Sequence, residues 1–226
     1  MKHLNKQNNF IYLFFSLITL LFSAAVVGEL PGSFGEDLFS FVTLFMLLAS
    51  IKSIRTDVTW TKTVYVVIGF FVLLTLLSKF FPQSIFVYFI LITLLVFFIG
   101  SFVMAFKQVF FIGDIDGNKI VGSLTLYILL GLIWATIYLL LLVLDPQAFS
   151  GIEIGHWQEI FSRVAYYSFV TLTTLGYGDI LPANHIAEFF VYMEAIVGVF
   201  YMAIIVSSLI SLRLSALQNE KSNKGK

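Results

Sequence analysis

The sequence predicts an all-α membrane protein with six helices that cross the bilayer and a shorter re-entrant segment between the last two. Three observations carry this reading. Of 226 residues, 59% are apolar and only 12% are charged, against about 25% charged in an ordinary soluble domain. The mean hydropathy is +0.98. The apolar residues also gather in runs of about 18 residues or more, long enough to cross a bilayer as helices. So little charge cannot wet a 25.5 kDa globule, which excludes a soluble enzyme. A net charge of zero and the lack of a basic face exclude a nucleic-acid binder. The chain has no Cys, which removes disulfides, thiolate metal sites and a Cys nucleophile.

The first run, Phe10–Val27, exceeds the 7–15 residues of a signal-peptide core, so it is read as a span. The second, Leu38–Ile54, is the weakest. Only Leu38–Ile51 is free of charge, so Lys52 and Arg55 must snorkel toward the headgroups. Val64–Phe81, Ile85–Phe106 and Val121–Leu144 are long and apolar. Trp157–Leu175 is too polar and too Gly-bounded to span, and reads as re-entrant. Ile186–Leu212 is the sixth span, and the polar tail after Arg213 is expected to fray.

Charge fixes the direction. Lys2, Lys6, Lys52, Arg55, Lys62, Lys107, Lys119, Arg213, Lys221, Lys224 and Lys226 fall at the N-terminus, the even-numbered connections or the tail. Those sides are cytoplasmic under the positive-inside rule. Only Lys79 and Arg163 fall opposite, among Glu29, Glu36, Asp37, Asp145, Glu153, Glu159, Asp179 and Glu188. Both termini are then cytoplasmic, which requires an even number of spans and therefore the weak second one. The chain divides near residue 110. Residues 1–109 hold four spans with short loops. Residues 110–226 hold the other two spans around the re-entrant segment, after a polar hinge at Phe110–Lys119. No internal repeat of 20–50 residues is visible.

Between the last two spans runs Ser168-Phe-Val-Thr-Leu-Thr-Thr-Leu-Gly-Tyr-Gly-Asp-Ile180, followed by Pro182. This stretch closely resembles the pore loop of tetrameric potassium channels, whose filter reads Thr-x-Gly-Tyr-Gly-Asp. In such channels, rings of backbone carbonyls replace the hydration shell of K⁺. The resemblance implies a pore helix over Ile160–Thr173 and an ion-binding filter at Thr174, Leu175, Gly176, Tyr177 and Gly178. It places K⁺ at Thr174, Leu175, Gly176 and Tyr177. It also implies that 110–226 is a pore domain and 1–109 a sensor-like membrane domain.

The residues support this on their own terms. Carbonyls that all point to one axis need alternating left- and right-handed backbone angles, and Gly176 and Gly178 permit these without a Cβ clash. Thr174 adds a hydroxyl to the innermost ring, and Leu175 is expected to face away and pack. Irregular backbone at membrane depth is tolerated where it lines an aqueous path. The bland alternative is a Gly-rich turn between helices. Against it stand the preceding run of pore-helix length, the following Asp179 and Pro182, the two flanking spans and the outward placement.

In the family, aromatic residues usually stand where Tyr166 and Tyr167 are, most often as Trp. The resemblance implies that Tyr167 packs as a cuff around Tyr177 and that Tyr166 donates to Asp179. The alternative is an interfacial aromatic belt. Gly198 lies where the family often has a hinge glycine, although a glycine there can equally serve close packing. At helical spacing Val199, Met202, Val206 and Ile210 would line the cavity, or in part the packed side. Glu194 is an ionisable group inside an apolar helix, which is costly and commonly functional or paired. It is expected to support the filter, either protonated or accepting from Ser168, Thr171 or Thr173. The alternative is a satisfied structural carboxyl. Asp114-Ile-Asp116-Gly117 resembles the start of a calcium loop, but Thr125 stands where the bidentate acid is needed. It reads as a β-turn.

The resemblance covers about the last 105 residues, and the fourth span departs from voltage-gated relatives. A sensor needs several charges, each worth roughly 2.3 kcal/mol per 100 mV. This helix has none before Lys107. The implied protein is a small prokaryotic-type potassium channel with an uncharged sensor-like half. The expected function is passive K⁺ conduction by a homotetramer in the cell (plasma or inner) membrane. It is expected to be no enzyme and to take no cofactor beyond the permeant K⁺. Its partners are expected to be K⁺, lipid and three further copies, with no nucleic acid and no soluble ligand-binding domain. The alternatives are a non-selective cation channel on the same scaffold and, further off, a potassium transporter subunit. A transporter would need repeated pore segments. An intramembrane enzyme lacks its Ser/His or paired Asp, since His156 and His185 both sit at the outer rim.

Overall fold

In the computed structural model, residues 9–27, 29, 33–53, 58–81, 84–111, 117–153 and 155–224 are described. They form seven helices: α1 (Asn9–Val27), α2 (Ser33–Ser53), α3 (Val58–Phe80), α4 (Ser84–Phe111), α5 (Gly117–Leu144), α6 (Trp157–Leu172) and α7 (His185–Lys224). Two two-residue strands, β1 (Phe149–Ser150) and β2 (Leu181–Pro182), complete the elements. All but α6 are long and apolar enough to cross a membrane, six helices in all. The chain is an all-α membrane protein. The Asp114–Asp116 turn lies outside the described residues.

Three boundaries differ from the sequence reading. Helix α2 starts at Ser33 rather than near Leu38, because the charges of its first turns have partners. Asp37 meets Lys79 of α3 at 2.5 Å, and Glu36 meets His156 at 3.5 Å. Helix α6 starts at Trp157, three residues before Ile160, because Trp157 is anchored edge-to-face on Phe39 of α2. Helix α7 does not fray after Arg213 but continues to Lys224. Ala, Leu, Gln, Glu and Lys there are good helix formers, and the next glycine is Gly225.

The core follows from helical spacing. Helix α1 buries Leu13, Leu17, Leu20, Ala24 and Val27, one stripe repeating every three or four residues. Helix α3 does the same with Trp60, Val64, Val67, Phe71 and Leu74. Their other faces expose Phe15, Phe22, Tyr65 and Val66, as a lipid-facing surface does. Helix α1 lies against α2, α5 and α6, while α4 packs on α3 and α5. One continuous cluster therefore joins residues of α1–α4 to Tyr138, Phe161 and Tyr167. Between membrane helices such contact is held by van der Waals fit and small residues rather than by expulsion of water.

The two basic residues on the acidic side are both engaged. Lys79 holds Asp37, and Arg163 donates to the Gly151 carbonyl at 3.3 Å while lying 5.8 Å from the Tyr166 ring centre.

Candidate functional site

The 145–184 segment carries the site. It is pinned at its base before it enters the bundle. β1 pairs antiparallel with β2, with Phe149 opposite Pro182. Asn184 caps α7 by accepting the Ala187 N–H at 2.8 Å, and its amide donates to Asp145 at 2.8 Å. The two arms of the loop thus close on each other at the ends of α5 and α7. Between them α6 enters as a 16-residue helix, about 24 Å long at 1.5 Å per residue. That is too short to cross the bilayer.

At the C-terminal end of α6 the chain turns back over its own last carbonyls. The Thr174 N–H donates to Thr171, and the Leu175 N–H donates to Val170, each at 2.9 Å. The backbone then alternates in hand. Thr174, Gly176 and Gly178 have φ of 62°, 58° and 80°, while Leu175 and Tyr177 between them are not in the positive region. For the two glycines this is free of Cβ strain, and a Cβ on either would meet nothing within 4 Å. Their necessity in this chain is therefore one of conformation and not of room. Thr174 is different. A β-branched residue at positive φ is strained, by about 1–3 kcal/mol, and persists where its surroundings over-determine it. Nothing in the residue pattern signals that strain.

The whole stretch Thr173–Asp179 is exposed in the single chain. Leu175 is 60% exposed and Tyr177 66%. One strand of carbonyls cannot surround an ion.

The resemblance implies that Tyr167 packs around Tyr177. Within the chain it is Tyr166, not Tyr167, that lies against Tyr177, with ring planes 6° apart and centres 6.4 Å apart. Its hydroxyl lies near the Asp179 carboxylate. Tyr167 turns inward, buried between Tyr138 and Phe149 at 5.4 and 5.6 Å.

An ion-channel family model matches residues 124–213. The match begins within α5 and runs through α6, the Thr174–Gly178 stretch and most of α7. No curated protein and no solved structure matches the chain. The match and the six apolar helices together support an ion channel that passes the membrane several times.

The remaining residues singled out in the sequence lie along α7. Gly198 is where that helix touches α6, because a Cβ there would fall on the Leu172 carbonyl oxygen. Val199 and Met202 are 54% and 51% exposed. The side chains of Val206 and Ile210 lie outside the described residues. Glu194 is 0% exposed. Of its three expected donors, Ser168 reaches it, at 2.5 Å. Thr173 instead returns its hydroxyl to Phe169 at 2.6 Å, and Thr171 lies near the Tyr167 hydroxyl. The second partner of Glu194 is the Tyr138 hydroxyl of α5, which sequence reasoning missed. The two residues lie 56 apart, and the only signal was a tyrosine directly before the aliphatic stretch Leu139–Leu144.

Proposed function

We propose that this chain is a passive potassium-selective channel, formed by four copies around the Thr174–Gly178 stretch. The observation that carries the reading is the alternation of positive φ at Thr174, Gly176 and Gly178, in a Thr-Leu-Gly-Tyr-Gly sequence at the end of a re-entrant helix. Residues in alternating hands can direct successive carbonyls to one side. In this reading the carbonyls of Thr174, Leu175, Gly176 and Tyr177 replace the water of K⁺, and the Thr174 hydroxyl completes the inner ring. The C-terminal end of α6 adds its partial negative charge on the cation's path.

The exposure of this stretch supports an assembly of several chains, and the resemblance to tetrameric channels supplies the number four. Neighbouring chains would cover Leu175 and enclose the ion, while Val199 and Met202 would line an apolar cavity below the filter. Gly198 would be the point about which the inner helix bends. Residues 110–226 act as the pore domain in this account, and 1–109 as a packed accessory domain without gating charge.

The test is flux through the purified protein in liposomes under opposed K⁺ and Na⁺ gradients. Selective K⁺ flux supports the reading. Equal passage of both ions assigns a non-selective cation channel, and uphill movement of either ion assigns a transporter.

A further inference from the structure

Glu194, Ser168 and Tyr138 are each 0% exposed and stand on three different helices, α7, α6 and α5. The Tyr138 hydroxyl donates to Oε2 of Glu194. Ser168 Oγ lies 2.5 Å from Oε1 of Glu194 and 2.8 Å from the Gly131 carbonyl oxygen of α5. The proton inventory decides what these contacts are. A serine hydroxyl has one proton and a carbonyl has none. The contact with Gly131 therefore consumes the Ser168 proton. The shorter contact with Glu194 then needs a proton that only the carboxyl can supply. With Glu194 ionised, one of the two contacts would be a pair of oxygens facing each other with no proton between them, at two fully buried side chains. Among the described residues, the titratable groups that feel the Glu194 charge are Tyr138, which bonds it, and Tyr127 and Tyr167 farther off. All are phenols, and none brings the positive charge that a buried carboxylate requires.

We propose that Glu194 is a neutral carboxylic acid that donates to Ser168, and that the chain Tyr138–Glu194–Ser168–Gly131 positions α6 against α5 and α7. The consequence for function rests on the reading of α6 as a pore helix. Ser168 lies within two turns of Thr174, so a lock on Ser168 sets the height of the strained turn that begins the filter. Glu194 acts on conduction through α6 and touches no ion. Losing the donated proton would unlatch the pore helix from below.

The test uses the full chain in liposomes. Infrared difference spectra between native protein and Glu194→Gln should show a protonated-carboxyl C=O band in the native form alone. Ser168→Ala removes the acceptor of that proton and should move the band to higher frequency. These spectra are recorded with no ion gradient, so they stand or fall separately from the channel reading. Absence of the band in native protein, or an unmoved band in Ser168→Ala, overturns the proposal. Flux tests the positioning role. Gln can donate to Ser168 and accept from Tyr138, so Glu194→Gln should stay within about threefold of native, whereas Glu194→Val orphans both hydroxyls and should fall about tenfold or more. Native flux in Glu194→Val overturns the positioning role. If Glu194→Val does not insert, the spectra still decide the protonation.

Discussion

Gly198 of α7 passes so close to the carbonyl oxygen of Leu172 that no side chain fits between them. The contact joins the helix after the filter to the last turn of the helix before it, and gives that glycine a packing duty.

Gly198→Ala should therefore destabilise the protein even though Ala favours helix over Gly by about 0.5–1 kcal/mol. The obstacle is backbone, which cannot rotate away, and overpacking of this kind costs about 1–3 kcal/mol. Gly69 of α3 is the control, since a Cβ there meets nothing within 4 Å. Thermal unfolding in detergent should show Gly198→Ala below native and Gly69→Ala at or above it. The reverse order would remove the contact from the account.

Gly178→Ala should act by a different route. Space is available, but φ is 80°, and an L residue forced into the left-handed region loses about 1–2 kcal/mol. The variant should insert and assemble like native protein on size exclusion while losing K⁺ flux. Native selectivity in Gly178→Ala would mean that these carbonyls do not form the filter.

Much of this was legible in advance, for identifiable reasons. The six spans follow from apolar runs, because bilayer thickness imposes a length that needs no tertiary information. Positive φ at Gly176 and Gly178 could be expected because glycine adopts it freely, whereas the same hand at Thr174 could not. What failed depended on partners distant in sequence. The start of α2 lies ahead of Glu36 and Asp37, whose partners His156 and Lys79 lie far along the chain. Which of Tyr166 and Tyr167 lies against Tyr177 within the chain could not be read from the sequence, because adjacent residues on a helix point about 100° apart. Only the packing of Tyr138 and Phe149 decides which of the two turns inward.

Tyr166→Phe separates the two contacts of that residue. The stack on Tyr177 survives and the hydroxyl near Asp179 is lost. The variant should conduct K⁺ but lose current faster during sustained recording, and Asp179→Asn should add little to it in a double-mutant cycle. Fully additive effects would place the two residues in separate networks.

Helix α4 carries no charge before Lys107, so the transmembrane field has little in it to move. Open probability should change only shallowly with voltage. Gating currents equal to several charges per chain, each worth roughly 2.3 kcal/mol per 100 mV, would contradict an uncharged sensor-like half.

The most direct measurement is the reversal potential of the purified protein in a planar bilayer, with K⁺ on one side and an equal concentration of Na⁺ on the other. The arrangement of Thr174–Gly178 predicts a potential far from zero, of the sign that K⁺ permeation alone would give. A reversal at zero, with clear current in both directions, would contradict it.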